Sequence, residues 1–270
     1  VELLNLINNA QKSNCKFIFV EASSIGYKEG RLGNLKYDLC LLTNLKSDHL
    51  DYHKNLKNYH LSKIELINKH YSHNSKILIQ DHKLLNKINR LNKNIYDHRN
   101  FVRKHNIKTN LNEDGFICIK INENKFNLRI INDFVIKNII SILHIYYYLI
   151  KKFPIVLNKK INPKGRSDIV FNKYGKIIMI DYAHSDDAFR NILTSLNKQF
   201  DNIIVVYGCG GDRDYSKRSK IARTVSKYSN FQIITDDNPR NENPKKIRDI
   251  LLKKSKNGIS IPNREKAIKY

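Results

Sequence analysis

The first eighty residues alternate between continuous apolar runs and segments in which apolar residues recur every three or four positions. Short continuous runs indicate buried strands, and the three-to-four spacing indicates amphipathic helices. Their alternation predicts βαβ units around a parallel sheet, with ligands bound at the carboxyl ends of the strands. The expected strands are 16–20, 37–42 and 76–80, and the expected helices are 1–12 and 55–71.

The pattern changes between residues 107 and 130, where short apolar stretches are separated by turn-forming residues. Turns at 112–115 and 122–124 favour short antiparallel strands joined by hairpins. A helically spaced segment, 133–152, follows them. Its apolar run contains His144, and no run in the chain reaches the roughly 18 residues of a membrane span. We therefore predict a packed helix and no membrane association.

Pro154 and the Asn-Pro-Lys-Gly sequence at 162–165 interrupt this pattern and indicate a domain boundary. We expect an α/β fold with two domains, 1–162 and 163–270. Alternation of strands and helices resumes after the boundary. The expected strands are 176–180, 203–207 and 231–235, and the expected helices are 186–199, 216–228 and 243–254.

Composition narrows the class of protein. The chain is 41% hydrophobic, which excludes a disordered chain, and its 4 cysteines form no Cys-x-x-Cys pair. This spacing argues against a zinc site or a disulfide framework and favours reduced thiols in the cytoplasm. The amino terminus also lacks the features of a signal peptide.

The formal net charge of +24 leaves two interpretations open. A basic domain can bind nucleic acid because neutralised phosphates release counterions. The positive residues, however, are mostly lysines spread along the chain among many Asn and Ile residues. An AT-rich genome would produce this excess on solvated surfaces, and we favour that origin over a nucleic-acid-binding face.

A polar cluster follows each expected strand of the second domain, where α/β proteins bind ligands. The clusters are Asp181-Tyr182-Ala183-His184, the glycine-rich segment 208–214 and Asp236-Asp237-Asn238-Pro239-Arg240. Glycines let a backbone approach a phosphate or carboxylate, and Pro239 can hold Arg240 rigidly for a bidentate contact with a carboxylate. The dinucleotide fingerprint fails because Arg213 takes its last glycine position. Each cluster also has an ordinary interpretation: an aspartate that caps the next helix, a tight turn or an Asn-Pro turn.

In the first domain, residues 43–53 are rich in Asp and His. No His-Glu-x-x-His pattern or nearby cysteine supports zinc, whereas oxygen ligands suit Mg²⁺, with His49 as an additional contact. Lys63 lies within the helix expected at 55–71. Taken alone, it is an ordinary solvated lysine.

The order and spacing of these groups resemble the Mur ligase family, and within it the branch that makes UDP-MurNAc-tripeptide. The resemblance covers nearly the whole chain. The motifs that carry it are Glu21-Ala22-Ser23-Ser24, Gly30-Arg31, Thr43-Asn44, Asp48 to His53, Lys63, Gly165-Arg166, Asp181 to His184, Gly208 to Asp214, Lys217-Arg218 and Asp237 to Arg240. The resemblance implies part of a central ATPase-type domain with a parallel sheet, followed by a Rossmann-like carboxyl-terminal ligase domain.

The resemblance also implies ATP-dependent amide formation through an acyl phosphate, with Mg²⁺ as cofactor. The implied substrates are UDP-MurNAc-L-Ala-D-Glu, ATP and meso-diaminopimelate, used by a cytoplasmic monomer that binds no nucleic acid. The Asp-Asn-Pro-Arg sequence favours diaminopimelate over L-lysine, because a rigid arginine pair can hold the far carboxylate that lysine lacks.

The family's functional residues transfer to matching positions of this sequence. Glu21, His49 and Lys63 match the metal and catalytic group, in which the family's lysine is carbamylated. Ser23, Glu29 and Arg31 match positions that hold the UDP-MurNAc-dipeptide. Asn138, Arg166, Asp181 and His184 match the ATP site. Arg213, Asp237, Asn238, Pro239 and Arg240 match the diaminopimelate site.

The sequence departs from the family pattern in several places. The Gly-Lys-Thr phosphate loop expected before Glu21 is absent, as is the Gly-Lys-Gly-His-Glu segment expected after Tyr270. Glu29 replaces a common glutamine, Ser185-Asp186 replaces Thr-Pro, and Phe134-Val135 replaces Phe-Asn. We therefore expect this chain alone to use ATP poorly. An inactive remnant, a lysine-adding enzyme and a nucleic-acid-binding protein stay open as alternatives.

Overall fold

The computed structural model describes residues 2–45, 50–80, 84, 94–111, 117–128, 132–155, 157, 163–212 and 215–270. The chain divides into two compact units, Val1–Phe101 and Val102–Tyr270. The boundary predicted at 162/163 rests on sequence pattern rather than on compactness, and it stays a prediction.

The first unit contains a parallel sheet, as the alternating pattern predicts. Its elements are α1 (Glu2–Lys12), α2 (Ser24–Lys28), β1 (Tyr37–Leu42), α3 (Leu50–His53), α4 (Leu56–His70), β2 (Tyr71–Ile79) and β3 (Ile95–Asp97). The strands lie in the order β1-β2-β3. Their core consists of Leu42, Ile67, Ile77, Ile79 and Leu84. Helix α5 (His98–Lys104) starts in this unit and ends in the next.

The strand predicted at 16–20 is wrong. The segment forms no ladder with any described strand, and Phe17, Ile18 and Phe19 are 46%, 46% and 75% exposed. An apolar run becomes a buried strand only when another strand pairs with its backbone and a second layer covers its side chains. In the described part of this sheet, β1 pairs with β2 alone. Residues 16–20 therefore have no paired strand, and their exposed side chains have no covering layer.

The second unit begins with three antiparallel strands, as the turn residues predict: β4 (Ile107–Leu111), β5 (Ile117–Ile121) and β6 (Asn124–Leu128). Helix α6 (Asp133–Ile150) follows. Strand β8 (Lys176–Ile180) has the predicted limits, but it pairs antiparallel with β7 (Asp168–Lys173) in a two-stranded sheet. No described helix is both long and apolar enough to cross a bilayer.

A parallel α/β arrangement completes the second unit. Its elements are α7 (Asp186–Leu196), β9 (Ile204–Tyr207), α8 (Tyr215–Tyr228), β10 (Phe231–Ile234), α9 (Pro244–Leu252), β11 (Gly258–Ser260) and α10 (Arg264–Lys269). The strands lie in the order β11-β10-β9. Phe189, Ile221, Val225, Ile234 and Leu251 belong to the buried core between sheet and helices. The predicted α/β fold is confirmed.

Candidate functional site

The loops that follow β9, β10 and β11 meet at the carboxyl edge of their sheet, where open α/β sheets bind ligands. The backbone N–H of Thr235 donates to the Tyr207 carbonyl at 2.9 Å, and that of Asp236 donates to the Pro262 carbonyl at 3.1 Å. Because the strands are parallel, the two predicted clusters after β9 and β10 lie side by side.

The two clusters approach each other closely at Gly211. Its backbone N–H donates to the Asn238 carbonyl at 2.8 Å. A Cβ placed on Gly211 would lie 1.8 Å from the Pro239 carbonyl oxygen, and one on Gly208 would lie 2.3 Å from the Thr235 carbonyl oxygen. Both positions therefore exclude any side chain, and the glycine-rich loop is a close-approach loop rather than an ordinary turn.

Arg240 is held against the glycine loop. Its backbone has φ +49°, a left-handed conformation, and its N–H donates to Asn238 Oδ1 at 3.2 Å. Its Nη1 donates to the Gly211 carbonyl. The guanidinium is thus fixed in direction at an exposed position by its contact with Gly211, and part of its donor capacity is used within the protein. Arg213, its predicted partner, lies outside the described residues.

Two further arginines contact Asp236 at this edge, and neither stands out in the sequence. Arg264 donates to the Asp236 carbonyl from Nε at 3.1 Å and from Nη2 at 2.7 Å, and its Nη2 lies 3.8 Å from Asp237 Oδ1. Arg248 pairs with the Asp236 carboxylate and donates to Ser260 Oγ at 3.1 Å. Asp237 and Asn238 remain exposed.

Cys209 lies within the glycine loop and lines a narrow crevice with Asp237, Pro239 and Arg248. The pKa of its thiol is raised to about 11, chiefly by burial; the Arg218 guanidinium lowers the pKa and the Asp237 carboxylate raises it by smaller amounts. The thiolate is the nucleophilic form of cysteine. Cys209 is consequently a neutral packing residue at physiological pH.

Asp181, predicted in the ATP site, is tied to a buried polar network. Its Oδ2 accepts from the backbone N–H of Ser167 at 2.7 Å and from Ser167 Oγ at 3.2 Å. Asn132 Nδ2 donates to Ser167 Oγ at 3.2 Å, and Ser195 Oγ donates to Asn132 Oδ1 at 3.5 Å. Asn132, Ser167 and Ser195 are each at most 4% exposed. Sequence reasoning missed them because their contacts join distant parts of the chain.

The other residues predicted in the ATP site lie near this network or on α6. The Arg166 guanidinium carbon stacks 4.3 Å from the Tyr182 ring centroid, and the His184 ring lies 5.2 Å from that ring. His184 Nδ1 is 3.1 Å from the Tyr182 carbonyl. Arg166 precedes Tyr182 in the sequence and His184 follows it, and both side chains contact the Tyr182 ring. Asn138 is half-buried on α6.

Ser23 and Ser24 have different partners in the first unit. Ser23 caps α2, accepting a hydrogen bond from the Gly26 backbone at 2.9 Å. The buried Ser24 hydroxyl lies 2.9 Å from His53 Nε2 and connects this segment to α3. Arg31 forms an exposed ion pair with Glu29. The three predicted substrate-binding residues Ser23, Glu29 and Arg31 therefore lie in one short segment.

Helix α4 anchors the loop that follows β1. Lys63 Nζ donates to the Asn44 carbonyl at 3.3 Å and lies 4.7 Å from the centroid of the Tyr59 ring. His60 Nε2 is 2.7 Å from the Leu45 carbonyl. Lys63 is thus at a strand end rather than in open solvent. His49 lies outside the described residues, and Glu21 is exposed.

The described residues contain no group of three or more His, Cys, Asp or Glu side chains that could hold a metal ion. This result does not oppose Mg²⁺, which keeps several waters and is commonly held by one or two carboxylates together with substrate phosphates. Glu21 with a carbamylated Lys63 would make a donor set of that kind. As an amine, Lys63 is a cation stabilised by the Asn44 carbonyl and the Tyr59 ring.

Comparison with known proteins agrees with this arrangement of parallel sheets and strand-end loops. The family model described as "Mur ligase middle domain" matches residues 1–145, and "Mur ligase, glutamate ligase domain" matches residues 165–270. The chain belongs to the Mur ligase family.

Individual relatives narrow the comparison. The chain is 33% identical, over 98% of its length, to UDP-N-acetylmuramoyl-L-alanyl-D-glutamate–2,6-diaminopimelate ligase of Rickettsia montanensis. A solved structure of a ligase with that name has a TM-score of 0.54 and 26% identity, and the match covers 99% of this chain. The MurF ligase of Thermotoga maritima in complex with ADP shares the fold, with a TM-score of 0.63 over 88% of this chain at 17% identity and 55% of the MurF chain. The chain spans 58% of the length of each of the first two proteins.

Proposed function

We propose that this chain is part of an ATP-dependent ligase that adds meso-diaminopimelate to UDP-MurNAc-L-Ala-D-Glu in cytoplasmic peptidoglycan precursor synthesis. The observation that carries the proposal is the contact between the glycine loop and the Asp237–Arg240 turn, with Arg240 fixed at Gly211. The name and 33% identity of the Rickettsia relative support the same reaction. We expect a monomer.

The reaction divides into two steps. A carboxylate oxygen of the dipeptide attacks the γ-phosphorus of ATP, and ADP leaves. The amine of diaminopimelate then attacks the acyl carbon, loses a proton, and the phosphate departs with the electron pair of the broken bond. Both steps depend chiefly on holding the reactants in line, because aligned reactants require no further loss of freedom in the transition state.

The residues of this chain would hold three reactants. Ser23, Glu29 and Arg31 would bind the UDP-MurNAc-dipeptide, and Asn138, Arg166, Asp181 and His184 would bind ATP. Arg240, with Arg213, would hold the far carboxylate of diaminopimelate, beside Asp237, Asn238 and Pro239. Arginine suits that role because its planar fork matches both oxygens of a carboxylate.

Mg²⁺ would be held by Glu21, carbamylated Lys63 and His49 together with oxygens of the nucleotide, and it would offset charge between the triphosphate and the attacking carboxylate. Carbamylation makes Lys63 an anion and so reverses its present role as a cation beside the Asn44 carbonyl. Carbon-13 NMR of the folded protein in ¹³C-labelled bicarbonate would detect a carbamate carbon that Lys63→Arg abolishes.

The test of the proposed function measures phosphate release by the full-length protein with UDP-MurNAc-L-Ala-D-Glu, ATP and Mg²⁺. We expect release to be stimulated by meso-diaminopimelate and not by L-lysine, because lysine leaves the arginine site without its carboxylate. Equal or greater stimulation by lysine would contradict the specificity. No stimulation by either amino acid would contradict the ligase function.

Arg240→Ala is the matched variant for this assay. We expect the KM for diaminopimelate to rise on the order of a hundredfold, because a charged hydrogen-bonded contact is lost, while the KM for ATP stays unchanged. Lys245→Ala is the control, since Lys245 is exposed on α9 and pairs only with Asp249 in the described contacts.

A further inference from the structure

Arg218 and Glu242 form an ion pair beside the proposed amino-acid site. Arg218 Nη1 donates to Glu242 Oε2 at 2.8 Å, and Nη2 donates to Oε1 at 2.6 Å. The Arg218 side chain is 3% exposed and that of Glu242 is 16% exposed. A guanidinium that meets both oxygens of a carboxylate fixes orientation as well as distance.

The pair contacts both loops of the proposed site. On one side, Arg218 Nη2 donates to the Gly210 carbonyl at 3.1 Å, and the Asp212 backbone N–H donates to Glu242 Oε1 at 2.5 Å. On the other side, the Glu242 backbone N–H donates to the Pro239 carbonyl at 3.0 Å. The pair therefore connects the glycine loop to the turn that carries Arg240.

Electrostatics support this connection. The hydrogen bonds from Arg218 lower the pKa of the Glu242 carboxyl, and the Asp212 backbone N–H lowers it further. The hydrogen bond to Glu242 raises the pKa of Arg218. Both side chains are therefore charged at neutral pH, and each needs the other in this geometry.

We propose that Arg218 and Glu242 are a positioning pair that sets the distance between the glycine loop and Arg240, and through it the affinity for an amino acid with a second carboxylate. Neither side chain is placed against the substrate, so the pair acts through Gly210, Asp212 and Pro239. The inference rests on the proposed function and goes further by identifying what holds the amino-acid site in shape.

The strongest rival is a purely structural role, because α8 and α9 both pack in the core of this unit. The two roles differ in what they change. Loss of a purely structural pair would lower stability and change the KM values for all substrates alike. Loss of a positioning pair would raise the KM for the amino acid and leave the other two KM values unchanged.

The experiment compares four variants of the full-length protein, three with a single substitution and one with two. Arg218→Lys keeps the charge but loses the fork, Glu242→Gln keeps the shape but loses the charge, and Asp249→Asn removes an exposed ion pair on α9 as the control. KM values for diaminopimelate, ATP and UDP-MurNAc-L-Ala-D-Glu, together with kcat and Tm, are measured for each. The double variant Arg218→Lys with Glu242→Gln completes a cycle.

We expect the KM for diaminopimelate to rise on the order of tenfold in both single variants, because a displaced binding group loses much of its contact. The other two KM values stay within about twofold of the unsubstituted protein, since the hydrogen bonds that the pair makes to other described residues go to the amino-acid loops. The KM for diaminopimelate of the double variant is no higher than that of the more impaired single variant. Parallel changes in all three KM values, a lowered Tm with unchanged KM values, or no change at all would overturn the inference. If the unsubstituted protein itself shows no ligation, the proposed function fails first and the inference with it.

Discussion

His98 follows β3 directly and is buried, with only 4% of its surface exposed. Burial lowers the pKa of His98 from 6.5 to about 4, against an opposing effect of the Asp97 carboxylate. The imidazole is therefore neutral in the folded protein above a pH of about 4. In the unfolded chain it titrates near its ordinary pKa.

This difference predicts a pH-dependent stability. Between pH 6.5 and about 4 the unfolded state binds more protons at this residue than the folded state does. The contribution of neutral His98 is thus complete above pH 6.5 and is lost as pH falls towards 4. We expect His98→Gln to flatten the dependence of the urea midpoint on pH in this interval. His73→Gln, at an exposed position, is the control, and an equal slope in both variants would contradict the prediction.

The candidate site residues differ in how much of their role the neighbouring sequence indicates. The sequence singles out Arg240 because Pro239 beside it signals a rigid turn, and the role of Arg240 stays a prediction. Asn132, Ser167 and Glu242 are not, because their roles come from partners at least fourteen residues away in the chain. Local spacing carries no record of such contacts. His49 and Arg213 lie outside the described residues, so their predicted roles stay predictions.

At the scale of elements, apolar periodicity predicts a strand well where the fold supplies a neighbour. The run at 37–42 becomes β1 with the predicted limits, because β2 pairs with it and a buried core covers it. The equally apolar run at 16–20 forms no described strand and is largely exposed. Periodicity reports what a segment could bury, and the presence of a partner decides whether it does.

Helix α7 has its cap at Ser185, not at the aspartate that closes β8. The Ser185 hydroxyl accepts a hydrogen bond from the Ala188 backbone at 3.3 Å, with the extended backbone of an N-cap. Asp181 instead accepts from Ser167. The interpretation of Asp181 as a helix cap is therefore wrong, and its carboxylate has a separate role.

We expect Ser185→Ala to lower the free energy of unfolding by about 1 kcal/mol, because a backbone N–H of the first turn loses its acceptor. Ser185→Asp should retain most of the stability, since aspartate also caps well. Urea denaturation curves monitored by circular dichroism measure the free energy of unfolding of both variants. A variant Ser185→Ala as stable as the parent would show that the cap contributes nothing.

For the whole molecule, the charge of +24 is spread over many elements. Lys28 pairs with Glu65 in the first unit, Lys245 pairs with Asp249 in the second, and Lys76 and Lys227 lie over tyrosine rings. Phosphate binding in a groove needs a concentrated basic face. The dispersed pattern favours the compositional origin of the charge.

We therefore expect little binding of duplex DNA or single-stranded RNA at about 0.15 M salt, where exposed charges are screened beyond about 8 Å. Fluorescence anisotropy with labelled oligonucleotides over a range of salt concentrations tests this. Tight binding would instead reveal a phosphate-binding face if the logarithm of the association constant fell by several units for each tenfold rise in salt concentration.

The contact between Gly211 and Pro239 has a consequence for how this sequence can change over generations. Three of the 10 glycines of the chain lie between positions 208 and 211, and a Cβ at Gly211 would lie 1.8 Å from a carbonyl oxygen. Glycine codons begin with two guanines, and a change of either to adenine encodes serine, arginine, aspartate or glutamate. Each of these residues has the Cβ that the loop cannot accept. Where the loops touch, steric exclusion would oppose the mutational bias to which we attribute the excess of lysine and asparagine.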